Sequence, residues 1–246
     1  MRLVLLSDTH CHQRFPMPGG DALVHAGDAT GSGTLDQVRE FLEWFAAQPH
    51  RHKILVAGNH DWLFQREPGE AARLVRRHPG LVYLQDSGLE LAGIRFWGSP
   101  WQPEFCAWAF NLPRRGEALR QVWNRIPPGT DVLVTHGPPY GILDQVGGGE
   151  HLGCEELRAR LGVVRPRLHV FGHIHDSHGV ARAGGTTYVN ASVCDEGYRP
   201  VHPPVVVDVT AGQVKVVSGP PRGRLDRLGA LQASLLAPER EPFRDR

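Results

Sequence analysis

Five short apolar runs in this chain each end in polar, chemically active residues. The runs are continuous rather than alternating, which is typical of strands buried on both faces; they cover residues 3–6, 22–26, 54–57, 132–134 and 168–171. The polar residues after them are Asp8-Thr9-His10, Gly27-Asp28, Gly58-Asn59-His60-Asp61, Thr135-His136 and Gly172-His173-Ile174-His175. Since sites in open α/β sheets form outside the carboxyl ends of strands, we expect these side chains to share one site.

Apolar residues at helical spacing predict four helices among these strands. The helices cover residues 34–48, 70–78, 115–125 and 154–161. Shorter strands are predicted over residues 81–84, 89–91, 94–97, 180–183, 187–189, 205–209 and 214–217, with turns at Ser87-Gly88 and Ala92-Gly93. The stretch from residue 81 to residue 97 indicates an antiparallel meander. Two groups of strands separated by helices predict an α/β fold with two packed sheets and helices outside.

The length of 246 residues, 41% of them hydrophobic, suits one domain with a substantial core. We place this domain at residues 1–218, because Pro220, Pro221 and Gly223 then break the pattern. Leucines 225, 228, 231 and 235 predict a short helix in a C-terminal tail, residues 219–246. This helix either docks on its own domain or forms a dimer contact, so the protein is expected to be a monomer or a homodimer.

Net charge and cysteine content narrow the function classes. The net charge of +1 gives no clustered basic field, so duplex nucleic acid is not an expected partner. No apolar stretch approaches the roughly 20 residues of a membrane span, and no signal segment is recognised, so no membrane partner is expected. The four scattered cysteines are typical of reduced thiols in an intracellular protein. We therefore expect a cytoplasmic location.

An aromatic-rich segment follows the 94–97 strand and allows two interpretations. It contains Trp101, Phe105, Trp108 and Phe110. These rings either pack across a sheet edge or face the substrate, as a wall or as a platform on which a base stacks. The sequence favours packing.

Seven side chains after the apolar runs form a candidate ligand set for metal ions. They are Asp8, His10, Asp28, Asn59, His136, His173 and His175. Imidazole nitrogens with carboxylate and amide oxygens, and no thiolate, suit divalent Mn, Fe, Co, Ni or Zn. Seven ligands are too many for one ion with an open position, but enough for two ions that share a carboxylate. Two such ions clamp the oxygens of a phosphoryl displacement and yield a hydroxide near neutral pH.

The order of these motifs resembles the calcineurin-like metallophosphoesterase family over about residues 2–210. The resemblance implies a four-layer α/β/β/α sandwich of two mixed sheets flanked by helices. It assigns the first metal to Asp8, His10, Asp28 and His175. It assigns the second to Asn59, His136, His173 and the shared Asp28. His60 would contact the phosphate and protonate or stabilise the leaving oxygen. The position of Asp61 in the sequence, apart from the resemblance, allows it either to orient His60 or to cap the next turn.

Three further stretches resemble a subgroup of the family, the small metallophosphoesterase-domain-containing phosphodiesterases. They are residues 135–139, 168–175 and 187–192. The subgroup implies phosphodiesterase activity, including toward cyclic nucleotides, with Mn as the favoured ion. The expected reaction is hydrolysis of a cyclic nucleotide or similar small phosphodiester by in-line attack of a metal-bridging hydroxide. The alternatives are a phosphomonoesterase or protein phosphatase, and a nucleotide-binding scaffold with residual activity. No arginine follows Asp28 or Asn59 directly, which favours diesters over monoesters.

Overall fold

Two six-stranded sheets make up most of the computed structural model, which describes residues 1–219. In chain order the elements are β1 (Arg2–Leu6), β2 (Ala22–Ala26), α1 (Leu35–Ala47), β3 (His52–Val56), α2 (Trp62–Arg66), α3 (Pro68–Val75), β4 (Leu81–Tyr83), β5 (Ser87–Leu91), β6 (Ile94–Ser99), β7 (Gln102–Pro103), β8 (Asn111–Leu112), α4 (Glu117–Asn124), β9 (Val132–Thr135), α5 (Glu155–Val164), β10 (Leu168–Phe171), β11 (Gly179–Ala183), β12 (Thr186–Asn190), β13 (Val205–Val209) and β14 (Val214–Ser218). A short 3₁₀ turn, His175–Ser177, precedes β11. The proposed tail helix lies outside the described residues.

Both sheets are mixed, as the resemblance implied. The first has the strand order β14-β13-β1-β2-β3-β4, in which β1 to β4 are parallel and β13 runs antiparallel to β1. The second has the order β11-β12-β10-β9-β6-β5, with four parallel strands inside two antiparallel edges. The expected antiparallel meander over residues 81–97 is wrong except for the β5–β6 hairpin, because β4 belongs to the first sheet, where it pairs in parallel with β3.

The hairpin has one turn where the sequence pattern predicted two. Ser87 and Gly88 belong to β5 and pair with Gly98 and Trp97 of β6. The turn is at Ala92-Gly93, where both residues have a positive φ, 49° and 75°. Glycine readily adopts such a conformation, so this dipeptide turns the chain where Ser87-Gly88 does not.

The apolar residues of β1 show why its run is continuous. Leu3 and Leu5 point into the layer between the two sheets, whereas Val4 and Leu6 point toward the helices on the outer face. Helices α1 and α3 cover the first sheet, and α4 and α5 cover the second. Side chains alternate along a strand, so a strand with cover on both faces needs apolar residues at every position. The four-layer α/β/β/α sandwich is thereby confirmed.

Helix α1 follows its sequence pattern closely. The Thr34 side chain accepts a hydrogen bond from the N–H of Gln37 and so caps the helix at its first turn. Phe41 and Phe45 point into the core, where their rings stack with centroids 5.2 Å apart. The short helix α2 and the strand pair β7–β8 were not predicted. Elements of two to five residues are too short to show a period.

The two sheets meet at the carboxyl ends of β1 and β12. Ser7 and Ser192 form an isolated parallel bridge there. The N–H of Ser7 donates to the carbonyl of Ala191, and the N–H of Val193 donates to the carbonyl of Ser7, each at 2.9 Å. This bridge brings the loops after both sheets to one end of the sandwich. No helix within residues 1–219 is long and apolar enough to cross a bilayer.

Candidate metal centre

The structure brings all seven side chains of the predicted ligand set together at this end of the sandwich. Their donor atoms form two groups, Asp8 with His10 and His175, and Asp28 with His136 and His173; a third group of His10, Asp28 and His60 overlaps both. Within each group the donor atoms lie within 4.8 Å of one another. Asn59 joins the second group, because its Oδ1 lies 2.9 Å from Nε2 of His136. Residues up to 167 positions apart in the chain, from Asp8 to His175, thus meet in one place.

Asp28 lies between the two groups. Its Oδ2 is 3.4 Å from Nε2 of His136, 3.8 Å from Nε2 of His10 and 4.0 Å from Nε2 of His60. Its Oδ1 accepts a hydrogen bond of 2.8 Å from the N–H of His60. The residue is 2% exposed. One carboxylate that reaches histidines of both groups can be shared by two ions.

Backbone carbonyls fix the orientation of three histidine rings. Nδ1–H of His136 donates to Ala26 at 3.0 Å, that of His175 to Asp195 at 2.9 Å and that of His60 to Gly31 at 2.7 Å. A carbonyl only accepts, so each bond requires a proton on Nδ1. Nε2 of each ring is then directed at the carboxylates. Such outer hydrogen bonds are the usual support of metal-binding imidazoles.

The Asp8 carboxylate is held by the second sheet rather than by its own. Ser192 Oγ donates to its Oδ2 at 2.7 Å, and the N–H of His173 donates to both oxygens at 3.1 and 3.0 Å. The approach is so close that a Cβ on Gly172 would collide with Asp8 and with Ser7. The glycine of the Gly-His-Ile-His motif is therefore required by packing against Asp8.

Backbone strain concentrates at the same loops. Five residues other than glycine have a positive φ there: Asp8 (55°), His10 (42°), Cys11 (67°), Asp28 (53°) and His173 (71°). Each such residue costs of order 1–3 kcal/mol, and such residues cluster at functional sites, where surrounding structure holds them. Four of the five belong to the predicted ligand set.

Two of the histidines hold a proton tightly and two do not. Burial opposes the charged form of His136, but the charge and hydrogen bond of Asp28 outweigh it and raise the pKa to about 9. Burial likewise opposes the charge of His175, yet Asp8 raises its pKa to about 9. Burial lowers the pKa of His10 to about 4 and that of His173 to about 3. The centre thus contains both lone pairs ready to bind a cation and protons that a cation would displace.

The donor set fits divalent cations of borderline character. Imidazole nitrogens and carboxylate and amide oxygens supply it, and no thiolate takes part. Nδ1 of His10 is buried and has no hydrogen-bond partner within residues 1–219. Two carboxylates buried this deeply are stable only with positive charge beside them. Histidine protons supply that charge in the metal-free protein, and cations could supply it in their place.

A family model described as calcineurin-like phosphoesterase matches residues 1–177 of the sequence. The chain belongs to this family. Metallophosphoesterase domain-containing protein 1 of Homo sapiens is 45% identical over 231 residues, which is 85% of this chain and 71% of that protein. A UPF0046 protein of Caenorhabditis elegans is 37% identical over 219 residues, 84% of this chain and 74% of that protein.

Solved structures share the calcineurin-like fold at low sequence identity. The protein TT1561 of Thermus thermophilus superposes with a TM-score of 0.60 and 16% identity, over 87% of this chain and 97% of that one. At this identity the likeness supports the fold alone.

A cavity of about 460 Å³ opens onto the candidate metal centre of this calcineurin-like phosphoesterase. Such a volume suits a small organic ligand. His10, Asp28, Asn59, His60, His173 and His175 line its floor, while Gln102, Phe105, Arg114, Glu196 and Tyr198 are among its wall residues.

The aromatic segment supports both interpretations made from the sequence, since some of its rings pack in the interior and another faces the cavity. Trp101 and Phe110 pack edge to face at 5.5 Å in the interior, and Phe105 faces the cavity with 48% of its surface exposed.

The role predicted for Asp61 needs correction. Gly31, not Asp61, accepts the hydrogen bond from the His60 ring. Asp61 stands at the N-cap of α2, yet in the described chain its side chain makes no cap bond. Its buried carboxylate instead accepts four hydrogen bonds, from the backbone N–H groups of Ala29, Thr30 and Gly58 and from Thr30 Oγ1. Asp61 therefore ties together the loops after β2 and β3, and these loops carry Asp28 and Asn59.

Trp108, which the sequence named only as one ring of the aromatic segment, belongs to the site. Its indole stacks on the His60 imidazole with centroids 4.1 Å apart and planes at 26°. The next residue, Ala109, donates its N–H to the Asn59 carbonyl at 3.0 Å. This backbone bond anchors the aromatic loop to the Gly-Asn-His-Asp motif. Only the density of aromatic residues in this segment pointed to the contact.

Proposed function

We propose that this calcineurin-like phosphoesterase is a phosphodiesterase that uses two divalent cations, Mn in preference to Fe, Co, Ni or Zn, and hydrolyses cyclic nucleotides or similar small diesters. The observation that carries the proposal is Asp28, which reaches His10 and His136 of two different ligand groups. Asp8, His10, His175 and Asp28 would hold one ion. Asn59, His136, His173 and Asp28 would hold the other.

The pair of ions would offset the charge of the phosphate and lower the pKa of a water that serves as the nucleophile. The protein's own part is to fix the donors. Ser192 and the N–H of His173 orient Asp8, while carbonyl groups orient His136 and His175. Ligands held by such contacts need little reorganisation when the reaction occurs.

His60 is placed to serve as the general acid. Its Nδ1–H is bonded to Gly31, so Nε2 faces Asp28 and the cavity. When both ring nitrogens carry a proton, Nε2–H can donate to the leaving oxygen as the bond from phosphorus to that oxygen breaks. The Trp108 ring covers one face of the imidazole, and an indole face stabilises an adjacent positive charge. Hydrolysis consumes one water and yields a phosphomonoester and an alcohol.

The charge of the cavity wall supports diesters over monoesters. Arg114 lines the cavity, but its guanidinium is engaged by the carbonyls of Leu152 and Gly153 at 2.8 Å and by Glu155 at 3.1 Å. The wall also carries carboxylates, Asp176 and Glu196 among them. These carboxylates repel the second negative charge of a monoester dianion more than they repel a diester monoanion.

The test is a panel of substrates assayed with the purified, metal-depleted protein. Cyclic nucleotides, linear diesters and matched monoesters are each supplied with Mn, Fe, Co, Ni, Zn or Mg. We expect turnover to require a divalent ion, to be highest with Mn and to favour diesters in kcat/KM. A preference for monoesters would refute the diesterase assignment. Tight nucleotide binding without turnover under any metal would indicate a scaffold.

Metal binding is expected to release protons. At pH 7 His136 and His175 are charged in the metal-free protein, since their pKa values are about 9, and ligation requires neutral imidazole. Apparent Mn affinity should therefore rise between pH 6 and pH 9 by up to about tenfold per pH unit for each proton released. Isothermal titration calorimetry at pH 7 in buffers of different ionisation enthalpy measures the release directly.

The same protons make the metal-free fold sensitive to alkali. Both pKa values are raised above the ordinary 6.5, so the charged imidazoles stabilise the fold fully below pH 6.5, and this stabilisation is lost as the pH rises through about 9.

In the calorimetric measurement of Mn binding, an enthalpy that is independent of the buffer would show that these histidines are already neutral and would contradict the proton release.

A further inference from the structure

Gln102 carries an unused hydrogen-bond acceptor in the wall of the cavity. The residue is 1% exposed and lines the cavity. Its Oε1 has no hydrogen-bond partner within residues 1–219. The atom lies beside Gly137, another lining residue, 4.0 Å from where a Cβ on that glycine would be. Buried polar atoms are normally paired, so an unpaired acceptor in a cavity wall needs an explanation.

The orientation of this amide is fixed by its neighbours. Asn111 Nδ2 donates to the carbonyls of Phe105 and Cys106, at 3.0 and 2.9 Å. Asn111 Oδ1 must therefore face Gln102 and accept from its Nε2, at 3.2 Å. Flipping Gln102 would place two oxygens against each other, and flipping Asn111 would lose both carbonyl acceptors. The free atom of Gln102 is thus an oxygen, which requires a donor.

An exposed aromatic ring belongs to the same wall. Phe105 is 48% exposed and stands edge to face with His173, its ring centroid 5.8 Å away. The Asn111 bond to the Phe105 carbonyl connects this ring's backbone to the Gln102 amide. An apolar ring and an unpaired acceptor that line the same cavity are complementary to a planar group with a donor at its edge.

We propose that Gln102 and Phe105 form a specificity subsite for a planar ring that presents an N–H or O–H donor, attached as one of the two ester groups of the substrate. Oε1 of Gln102 accepts from that donor, and the ring packs against Phe105. The inference rests on the proposed diesterase function, since the subsite lies in the wall above the same metal centre. A ring without a donor leaves the buried acceptor unpaired and binds less well.

The test uses diesters that differ by one donor and share one leaving group. These are p-nitrophenyl phenyl phosphate and its 3-amino and 4-amino derivatives on the phenyl ring. With the Mn-loaded full-length protein, the wild type should favour at least one amino ester by about tenfold in kcat/KM, the upper range for one hydrogen bond. In Gln102→Met, which keeps the side-chain length but has no oxygen, this ratio should fall to about one.

Two further variants provide the controls. Gln121→Met makes the same change on the exposed surface of α4 and should keep the wild-type ratio. Phe105→Leu alters an exposed side chain, so the fold should survive. It should raise KM for all three aryl esters about fivefold while the amino preference persists. A wild-type ratio of one, a preference retained in folded Gln102→Met, or an unchanged KM in Phe105→Leu would overturn the subsite.

A binding measurement separates this inference from the proposed function. If the plain phenyl ester is not hydrolysed with any metal, the diesterase assignment fails. Calorimetry with phenylphosphonate and its 3-amino and 4-amino derivatives then tests Gln102 directly. The subsite stands if an amino group improves Kd about tenfold in the wild type and not in Gln102→Met, and it falls if the amino group changes Kd in neither protein.

Discussion

Replacing Asp28 by Asn should reduce kcat/KM by about 10³-fold or more. Lewis-acid stabilisation by bound cations is worth several kcal/mol, and each 1.36 kcal/mol is a factor of ten in rate. Asp28 reaches both ligand groups through Oδ2, so one substitution weakens both. The amide has nearly the same shape but no charge. Steady-state kinetics together with metal analysis after gel filtration should show low turnover and fewer than two bound ions.

The matched control for Asp28→Asn is Asp36→Asn. Asp36 lies in the first turn of α1 with a side chain that is 85% exposed, so its loss should change neither turnover nor metal content. An Asp28→Asn protein that retained two tightly bound ions and wild-type turnover would show that Asp28 is not the shared ligand.

The second large effect is expected for His60→Gln. General acid catalysis contributes typically 10²–10⁴-fold, so kcat for a diester with an alkoxide leaving group should fall by about that factor. A p-nitrophenolate leaving group needs no proton, so the loss for that substrate should be much smaller. The measurement is kcat against leaving-group basicity for wild type and variant, and the variant should show the steeper dependence.

His78→Gln is the control for this series, because His78 lies in the turn after α3, away from the lining of the cavity. Equal losses on the alkyl and p-nitrophenyl substrates would assign His60 to binding of the phosphate rather than to proton donation. Unchanged turnover of an unactivated diester would exclude both roles.

The layers of the fold could be predicted because they depend on local patterns. Leu3 to Leu6 are apolar at every position since that strand has cover on two sides, and the same reasoning applies to residues 132–134 of β9. The glycines of the motifs also indicated where loops approach each other closely. Gly172 is needed where the loop approaches Asp8, and this need is visible in the sequence as a glycine before two histidines.

The supports of the site could not be predicted, for a physical reason. The groups that orient His60, His136 and His175 are backbone carbonyls, and any residue type supplies a carbonyl. The role of Asp61 depended on where the β2 loop passes, which its neighbours in sequence do not reveal. Gln102 belongs to a two-residue strand without a period, so its unpaired oxygen emerges only from three-dimensional contacts.

The bridge between Ser7 and Ser192 places the candidate metal centre at the junction of the two sheets. Asp8 comes from one sheet and His173 and His175 from the other, and their loops join at this seam. A cation coordinated by Asp8 and His175 would cross-link the two sheets where the loops after β1 and β10 meet. Loss of this cation would then reduce both the catalytic activity and the stability of the packing between the two sheets.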